Sequence, residues 1–139
     1  SGPPGPLNMS FLLDTDVAIH LRDANDVMTD RIAALSTRPL LSAISRVELE
    51  NGVYRDPQWA AVRRTVLDTM LDGFATLPFD ESCIQCYRSI VASTGYSRRK
   101  VNDRMIAATA LTHDLSLITL NASDYSDIKA LKLIDWSDA

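Results

Sequence analysis

Short apolar runs alternate along the chain with longer stretches whose apolar residues recur at helical spacing. Phe11-Leu12-Leu13, Leu40 to Ile44, Ala75 to Pro78, Leu117 to Leu120 and Lys132 to Ile134 read as buried strands, because they are short, continuous and bounded by polar residues. Between them, Val27 to Leu35 sets Val27, Ile32 and Leu35 on one stripe, and Arg46 to Tyr54 follows. Gln58 to Leu71 carries Val62, Val66, Leu67 and Met70 behind Asp56-Pro57, a cap with proline in the first turn. Asp80 to Ser93 ends at Gly95, and Asn102 to His113 carries Met105, Ile106, Thr109 and Ala110. Strands that alternate with helices of this length join through right-handed crossovers. The expected fold is therefore α/β, a single domain with a parallel central sheet of about five strands and helices on both faces.

The length of 139 residues suits one core, and 46% hydrophobic with 23% charged residues excludes disordered and fibrous classes. No run approaches the roughly 20 apolar residues that cross a bilayer, and the start has neither a basic nor an apolar signal region, so the expectation is a cytoplasmic protein with no membrane partner. Residues 1–8, Ser-Gly-Pro-Pro-Gly-Pro-Leu-Asn, read as an expression-tag remnant, with Met9 as the natural start and 9–139 as the domain. A net charge of −4 excludes holding nucleic acid through bulk positive charge; a local patch would be needed. Cys83 and Cys86 follow Asp80-Glu81-Ser82, a cap and first turn, which puts both thiols inside a helix as packing residues rather than at a redox helix start.

In open parallel sheets the working edge lies beyond the carboxyl ends of the strands. Asp14-Thr15-Asp16 follows the first strand, Ser45 and then Glu48 follow the second, and Asn121 with Asp124 follows Ile118-Thr119-Leu120. Asp103, at the start of the helix from Asn102, shares a face with Ile106, Ala107 and Ala110, so an acid sits on the stripe that packs against the sheet. Carboxylates gathered at one edge repel unless a cation lies among them, and oxygen donors favour a hard dication, Mg²⁺ or Mn²⁺. His20 and His113 are isolated on separate helices and offer no softer site.

Each acid also has a plain structural reading. After an apolar strand a structural acid usually caps the next helix, a role that fits Asp16 or Thr15 better than Asp14, since Val17-Ala18-Ile19 opens the helix. Asp16 reads equally as a cap or as a group behind the site, and Glu50 reads as a solvated helix residue. Asn102 and Asp103 are good caps, and Asn121 to Asp124 could be a plain turn. Arg98-Arg99-Lys100, with Arg104 one turn on, would ordinarily be a solvated face, but its place just before Asp103 fits a phosphate-contacting rim.

With these residues in place, the chain resembles the PIN-domain ribonucleases, and within them the VapC-like toxins of type II toxin–antitoxin modules. The resemblance rests on Leu13-Asp14-Thr15-Asp16-Val17; on Ser42 to Gly52, a strand followed by a Val-Glu-Leu-x-x-Gly helix; on Leu77-Pro78-Phe79-Asp80; on Asn102-Asp103-Arg104-Met105-Ile106-Ala107-Ala108; on Leu117 to Asn121 with Asp124-Tyr125; and on Leu133-Ile134-Asp135-Trp136. It is the ordered set, spanning Met9 to Trp136, that is specific. It implies a PIN-like domain and a homodimeric, Mg²⁺- or Mn²⁺-dependent endoribonuclease, inhibited by a cognate antitoxin protein. The family's acids fall on Asp14, Glu48 and Asp103. A fourth ligand, often Asp, falls on Asn121, with Asp124 matching a frequent acid just downstream, which leaves open which of the two completes the site. The family's Gly-Pro before Asn-Asp is replaced by Arg99-Lys100-Val101.

The chemistry these residues suit is metal-assisted hydrolysis of a phosphodiester, with Asp14, Glu48, Asp103 and Asp124 as the catalytic acids and RNA as substrate. A rival reading takes Asp14 as the nucleophile and Asp16 as the acid of a haloacid-dehalogenase-like phosphatase. No Gly-Asp loop after Gly95 supports it, and the lysines are few: Lys100, Lys129 and Lys132. A catalytically silent PIN-fold binding module is the other alternative, against which an intact Asp14, Glu48 and Asp103 set argues.

Overall fold

A computed structural model describes residues 10–138, so the tag reading of residues 1–8 lies outside the described residues. In chain order the elements are β1 (Phe11–Leu13), α1 (Thr15–Arg22), α2 (Asp26–Ala33), β2 (Leu41–Ser42), α3 (Ala43–Tyr54), α4 (Ala60–Leu71), β3 (Thr76–Leu77), α5 (Glu81–Thr94), α6 (Val101–Thr112), β4 (Ser116–Thr119) and β5 (Leu133–Asp135). The strands pair in parallel as β1-β4-β5 and as β2-β3. A parallel bridge between Leu12 and Leu40 joins the two sets, with Leu13 N–H donating to Leu40 at 3.0 Å and Leu40 N–H to Phe11 at 2.8 Å. The result is one parallel layer of five strands, as the alternating pattern predicts, in the order β3-β2-β1-β4-β5.

Side-chain alternation sorts the strand residues onto two cores. Phe11, Leu13 and Ile118 face α1 to α4 and pack with Val17, Met28, Leu49 and Leu67. Leu12 and Leu117 face the opposite way and pack with Ile90, Ile106, Ala107 and Tyr125 beneath α5 and α6. Both faces are covered, which is why the strands read as unbroken apolar runs. Among the described residues no helix is long and apolar enough to cross a membrane.

Several details differ from the sequence pattern. The second strand stops at Ser42, because the Ser42 hydroxyl accepts the Ser45 N–H at 3.0 Å and starts α3 at Ala43, three residues before Arg46. In α2 the Asn25 cap turns Met28 into the core and leaves Val27 46% exposed. In α4 Leu67 is buried, but Val62 and Val66 are exposed. Cys83, buried, and Cys86 lie inside α5, both free, as expected.

Candidate active site

At the carboxyl edge of β1 and β4 the sheet holds its first acid by the backbone. Asp14 N–H donates to Ile118 at 2.8 Å, extending the β1–β4 ladder one residue past the strand. Its Oδ1 accepts the Thr15 N–H at 2.9 Å and its Oδ2 the Thr119 hydroxyl at 2.7 Å. The capping expectation is corrected here: Asp14, not Asp16 or Thr15, is the N-cap of α1, because β1 passes straight into a helix that starts at Thr15. Asp14 therefore caps α1 with one carboxylate oxygen while Thr119 holds the other. Burial, with the Asp16 charge adding to it, pushes its carboxyl up to about 7, against the pull of hydrogen bonds from Thr119, Tyr125 and Thr15.

Glu48 reaches the same edge from the second turn of α3. The Thr15 hydroxyl donates to its Oε1 at 2.5 Å, and the Asn102 amide donates to Oε2 at 3.3 Å. Thr15 Oγ1 also lies 2.8 Å from the Ser45 hydroxyl, so a chain of hydroxyls from the start of α3 fixes the glutamate. Asp103 sits in the first turn of α6, third in that helix rather than at its cap, which is Lys100. Burial raises its carboxyl, and the charges of Asp124, Glu48 and Asp16 raise it further. Asp16 thus stands near enough to act on both Asp14 and Asp103, while Glu48 and Asp124 act on Asp103.

Asn121 plays a different part. Its Nδ2 donates to Asp16 Oδ2 at 2.6 Å, and Leu120 N–H donates to the same oxygen at 3.3 Å. The amide thus holds Asp16, whose Oδ1 accepts the Val17 N–H at 2.7 Å. Glu50, two residues past Glu48 and so on the other side of α3, is locked by Arg64 through two 2.6 Å hydrogen bonds and stands outside the site.

The basic run divides. Arg98 and Arg99 are exposed in a single 3-10 turn, Arg98–Lys100, that leads into α6, and the Lys100 ammonium lies 4.0 Å from Asp127. Arg104 departs from the expected rim: only 3% exposed, it donates to Thr94 and, at 3.1 Å, to Asp127. One helical turn beyond Lys100 points it back toward α5, so it braces α5 and α6 and does not face a substrate.

Tyr125 is a site residue that the sequence pattern passes over. It is 1% exposed, and its hydroxyl donates to Asp103 Oδ1 at 3.5 Å. Burial and the charges of Asp14 and Asp103 keep that hydroxyl protonated. Thr15 and Ser45, read from the sequence only as a cap candidate and as a residue after a strand, and Thr119 also hold the acids; their signal is a hydroxyl residue beside each predicted strand end, visible in Asp14-Thr15, Ile44-Ser45 and Ile118-Thr119.

The PIN domain family model matches residues 11–131, nearly the whole described chain. The chain belongs to the PIN-domain family. Ribonuclease VapC1 of Rickettsia felis (strain ATCC VR-1525 / URRWXCal2) is 27% identical, over 93% of this chain and 98% of that protein. Among solved structures, VapBC2 of Rickettsia felis bound to a DNA fragment from its promoter superposes with a TM-score of 0.80 at 23% identity, covering 92% of this chain and 99% of that one. FitAcB of Neisseria gonorrhoeae gives 0.75 at 27% identity, covering 90% and 96%. Membership of the PIN family removes the ground for the phosphatase reading, and in this PIN chain Asp16 is tied to Asn121 and the backbone rather than free as a proton donor.

As they stand, no three acidic, histidine or cysteine side chains among the described residues converge on one ion position. The donors are nonetheless all carboxylate and amide oxygens; burial raises Asp14, Asp16 and Asp103 alike, and neighbouring acids raise Asp14 and Asp103 further. Such a set suits a hard dication, because positive charge offsets the repulsion that the fold leaves in place.

Proposed function

We propose that this chain is the toxin of a toxin–antitoxin module and acts as a Mg²⁺- or Mn²⁺-dependent endoribonuclease. The observation that carries the reading is the row of acids at the sheet's carboxyl edge, Asp14 beside Asp16 and Asp103 beside Asp16, Glu48 and Asp124, in a PIN chain related to a ribonuclease. A bound dication would supply a water made nucleophilic at neutral pH and offset the charge that builds on the phosphate. Asp14, Glu48 and Asp103 would hold it, with Asp124 completing the set.

The chain's own groups do the rest. Thr119 and Thr15 keep the Asp14 carboxylate aimed along the sheet edge, and Thr15 with Asn102 holds Glu48. Tyr125 keeps Asp103 in place from below. Arg98 and Arg99, five and four residues before Asp103 in the chain, suit phosphate contacts that position the strand, whereas Lys100 is drawn toward Asp127. No protein side chain is needed as nucleophile, and hydrolysis by water leaves 5′-phosphate and 3′-hydroxyl ends. The test incubates purified protein with RNA and with p-nitrophenyl phosphate, each with Mg²⁺, with Mn²⁺ and with EDTA. RNA cleavage that EDTA stops supports the reading; phosphatase activity alone, or no turnover of either, overturns it.

Between Asn121 and Asp124, the reading assigns the ligand role to Asp124, since the Asn121 amide is engaged with Asp16 and a charged oxygen holds a hard dication better. In Mn²⁺ titrations, Asp124→Asn is expected to lose more affinity than Asn121→Ala; the reverse order would move the role to Asn121.

An antitoxin partner is supported by a long apolar groove, about 880 Å³, lined by Leu21, Ile32, Leu35, Val66, Met70 and Phe74. It suits the apolar face of a helix from that partner. Exposed Val62 and Val66 also fit a homodimer. Light scattering of the free protein is expected to give about twice 15.3 kDa across the micromolar range, and a single-chain mass would rule the dimer out.

A further inference from the structure

Most basic side chains of this protein are already committed. Of the 14 Lys and Arg residues, seven sit in ion pairs with acids: Arg22, Arg31, Arg63, Arg64, Lys100, Arg104 and Lys132. Arg38 lies over the Phe74 ring and Arg46 donates to Thr76. Arg55, Arg88 and Lys129 stand singly, whereas Arg98 and Arg99 are adjacent, exposed and without a carboxylate partner among the described residues. A chain of net charge −4 thus keeps, among the described residues, one pair of neighbouring uncommitted cations, in the turn that leads into the helix carrying Asp103.

Beside them stands Tyr96, 70% exposed, the most exposed large apolar side chain among the described residues. Its setting is built rather than loose. Gly95, at φ 89°, takes a backbone conformation that disfavours other residues, and its N–H caps α5 by donating to Val91 at 2.8 Å. Ser97 is extended, and the Lys100 N–H donates to its carbonyl at 3.0 Å, closing the turn that carries the arginines into α6. From Arg99 to Asp103 is about one helical turn, roughly 6 Å of rise.

We propose that Tyr96, Arg98 and Arg99 form a subsite for unpaired RNA, the ring stacking on one base while the guanidiniums hold neighbouring phosphates. The proposal rests on the ribonuclease reading for its ligand and names the form of RNA the site takes. A tyrosine ring stacks on a base whose face is free, and bases inside a duplex have none to offer. An exposed aromatic next to free cations is the pairing that single-strand binding uses, stacking for the bases and charge for the backbone. Lys100 and Arg104, drawn toward Asp127, leave that role to the two arginines.

The test is fluorescence anisotropy in EDTA, which removes metal-dependent cleavage, with a short labelled single-stranded RNA and the same strand annealed to its complement. The wild-type chain is expected to prefer the single strand by about tenfold or more. Tyr96→Ala should weaken single-strand binding by about 5- to 150-fold, and Tyr96→Phe should restore it to within about twofold. The Arg98→Gln, Arg99→Gln pair should make the slope of log affinity against log salt shallower by about 1.4, at about 0.7 per lost contact. Equal binding by Tyr96→Ala and wild type, a Phe variant as weak as the Ala variant, or equal loss on duplex would overturn the subsite. Cleavage of the same strand with Mg²⁺, by wild type and by Asp103→Asn, separates the two ideas. Wild type that binds as described but never cleaves refutes the ribonuclease reading and keeps the subsite. Wild type that cleaves while Tyr96→Ala binds unchanged does the opposite.

Discussion

Asp14→Asn, Glu48→Gln and Asp103→Asn are each expected to lower RNA cleavage by about a thousandfold or more, with the fold intact. A dication held by carboxylates lowers a phosphoryl-transfer barrier by several kcal/mol, and each substitution removes one of the charges that would hold it. The substitutions keep the shape of the side chain, so the packing of Leu13, Leu49 and Ile106 around the site is not disturbed. Asn at position 14 can still accept the Thr15 N–H, and Gln at position 48 can still accept the Thr15 hydroxyl. Glu50→Gln is the matched control: that carboxylate is bound by Arg64, away from the cluster, and cleavage should persist. Rates on labelled RNA, read beside thermal melts, check the set. If Asp103→Asn stayed active but melted much lower, Asp103 would be a helix-start residue and nothing more.

The metal-free protein is expected to lose stability as pH rises from about 4 to about 7. Asp14 carries the largest share, because an unfolded chain releases that proton near 3.8 while the folded chain keeps it until about 7. Between those values the folded state binds the extra proton, so each step up in pH favours unfolding. At about 1.36 kcal/mol per unit, the penalty reaches roughly 4 kcal/mol above pH 7 and is absent below pH 4. Asp16 and Asp103 are raised by burial too, and push the same way. Asp14→Asn removes the titrating group, so its urea midpoint should exceed the wild type at pH 8 and match it near pH 4. Saturating Mg²⁺ or Mn²⁺ should recover stability for the wild type at pH 8 and much less for the variant. A wild-type midpoint that stays flat or rises from pH 5 to 8 would show that the buried carboxyl is compensated in some other way.

The alternation of short apolar runs with helical stripes is a local property, and from it the sequence alone determined the parallel α/β layer and the order of its elements along the chain, with helices on both faces; that two separate cores result, one on each face, came from the packed structure. The rule that sites lie past the strand ends put forward Asp14, Glu48 and Asp124, and the apolar stripe of the helix from Asn102 put forward Asp103, since an acid after a buried strand or on a packing stripe is visible without knowing what lies across from it. Other features depend on contacts between residues far apart in the chain. Tyr125 donates to a carboxylate 22 positions away, Thr119 to one 105 away, and Thr15 to Glu48, 33 away. No periodicity carries such pairings, because they arise only when β4 is laid beside β1 and α6 packs over both. The basic run shows the same division within a few residues. Its charge is plain in the sequence, but a single helical turn decides that Arg98 and Arg99 meet solvent while Arg104 turns inward to Thr94 and Asp127. Which acids repel one another, and so how far Asp14 is pushed from its ordinary range, was likewise settled by the tertiary structure, since burial and charge separation are properties of the packed chain and not of its order.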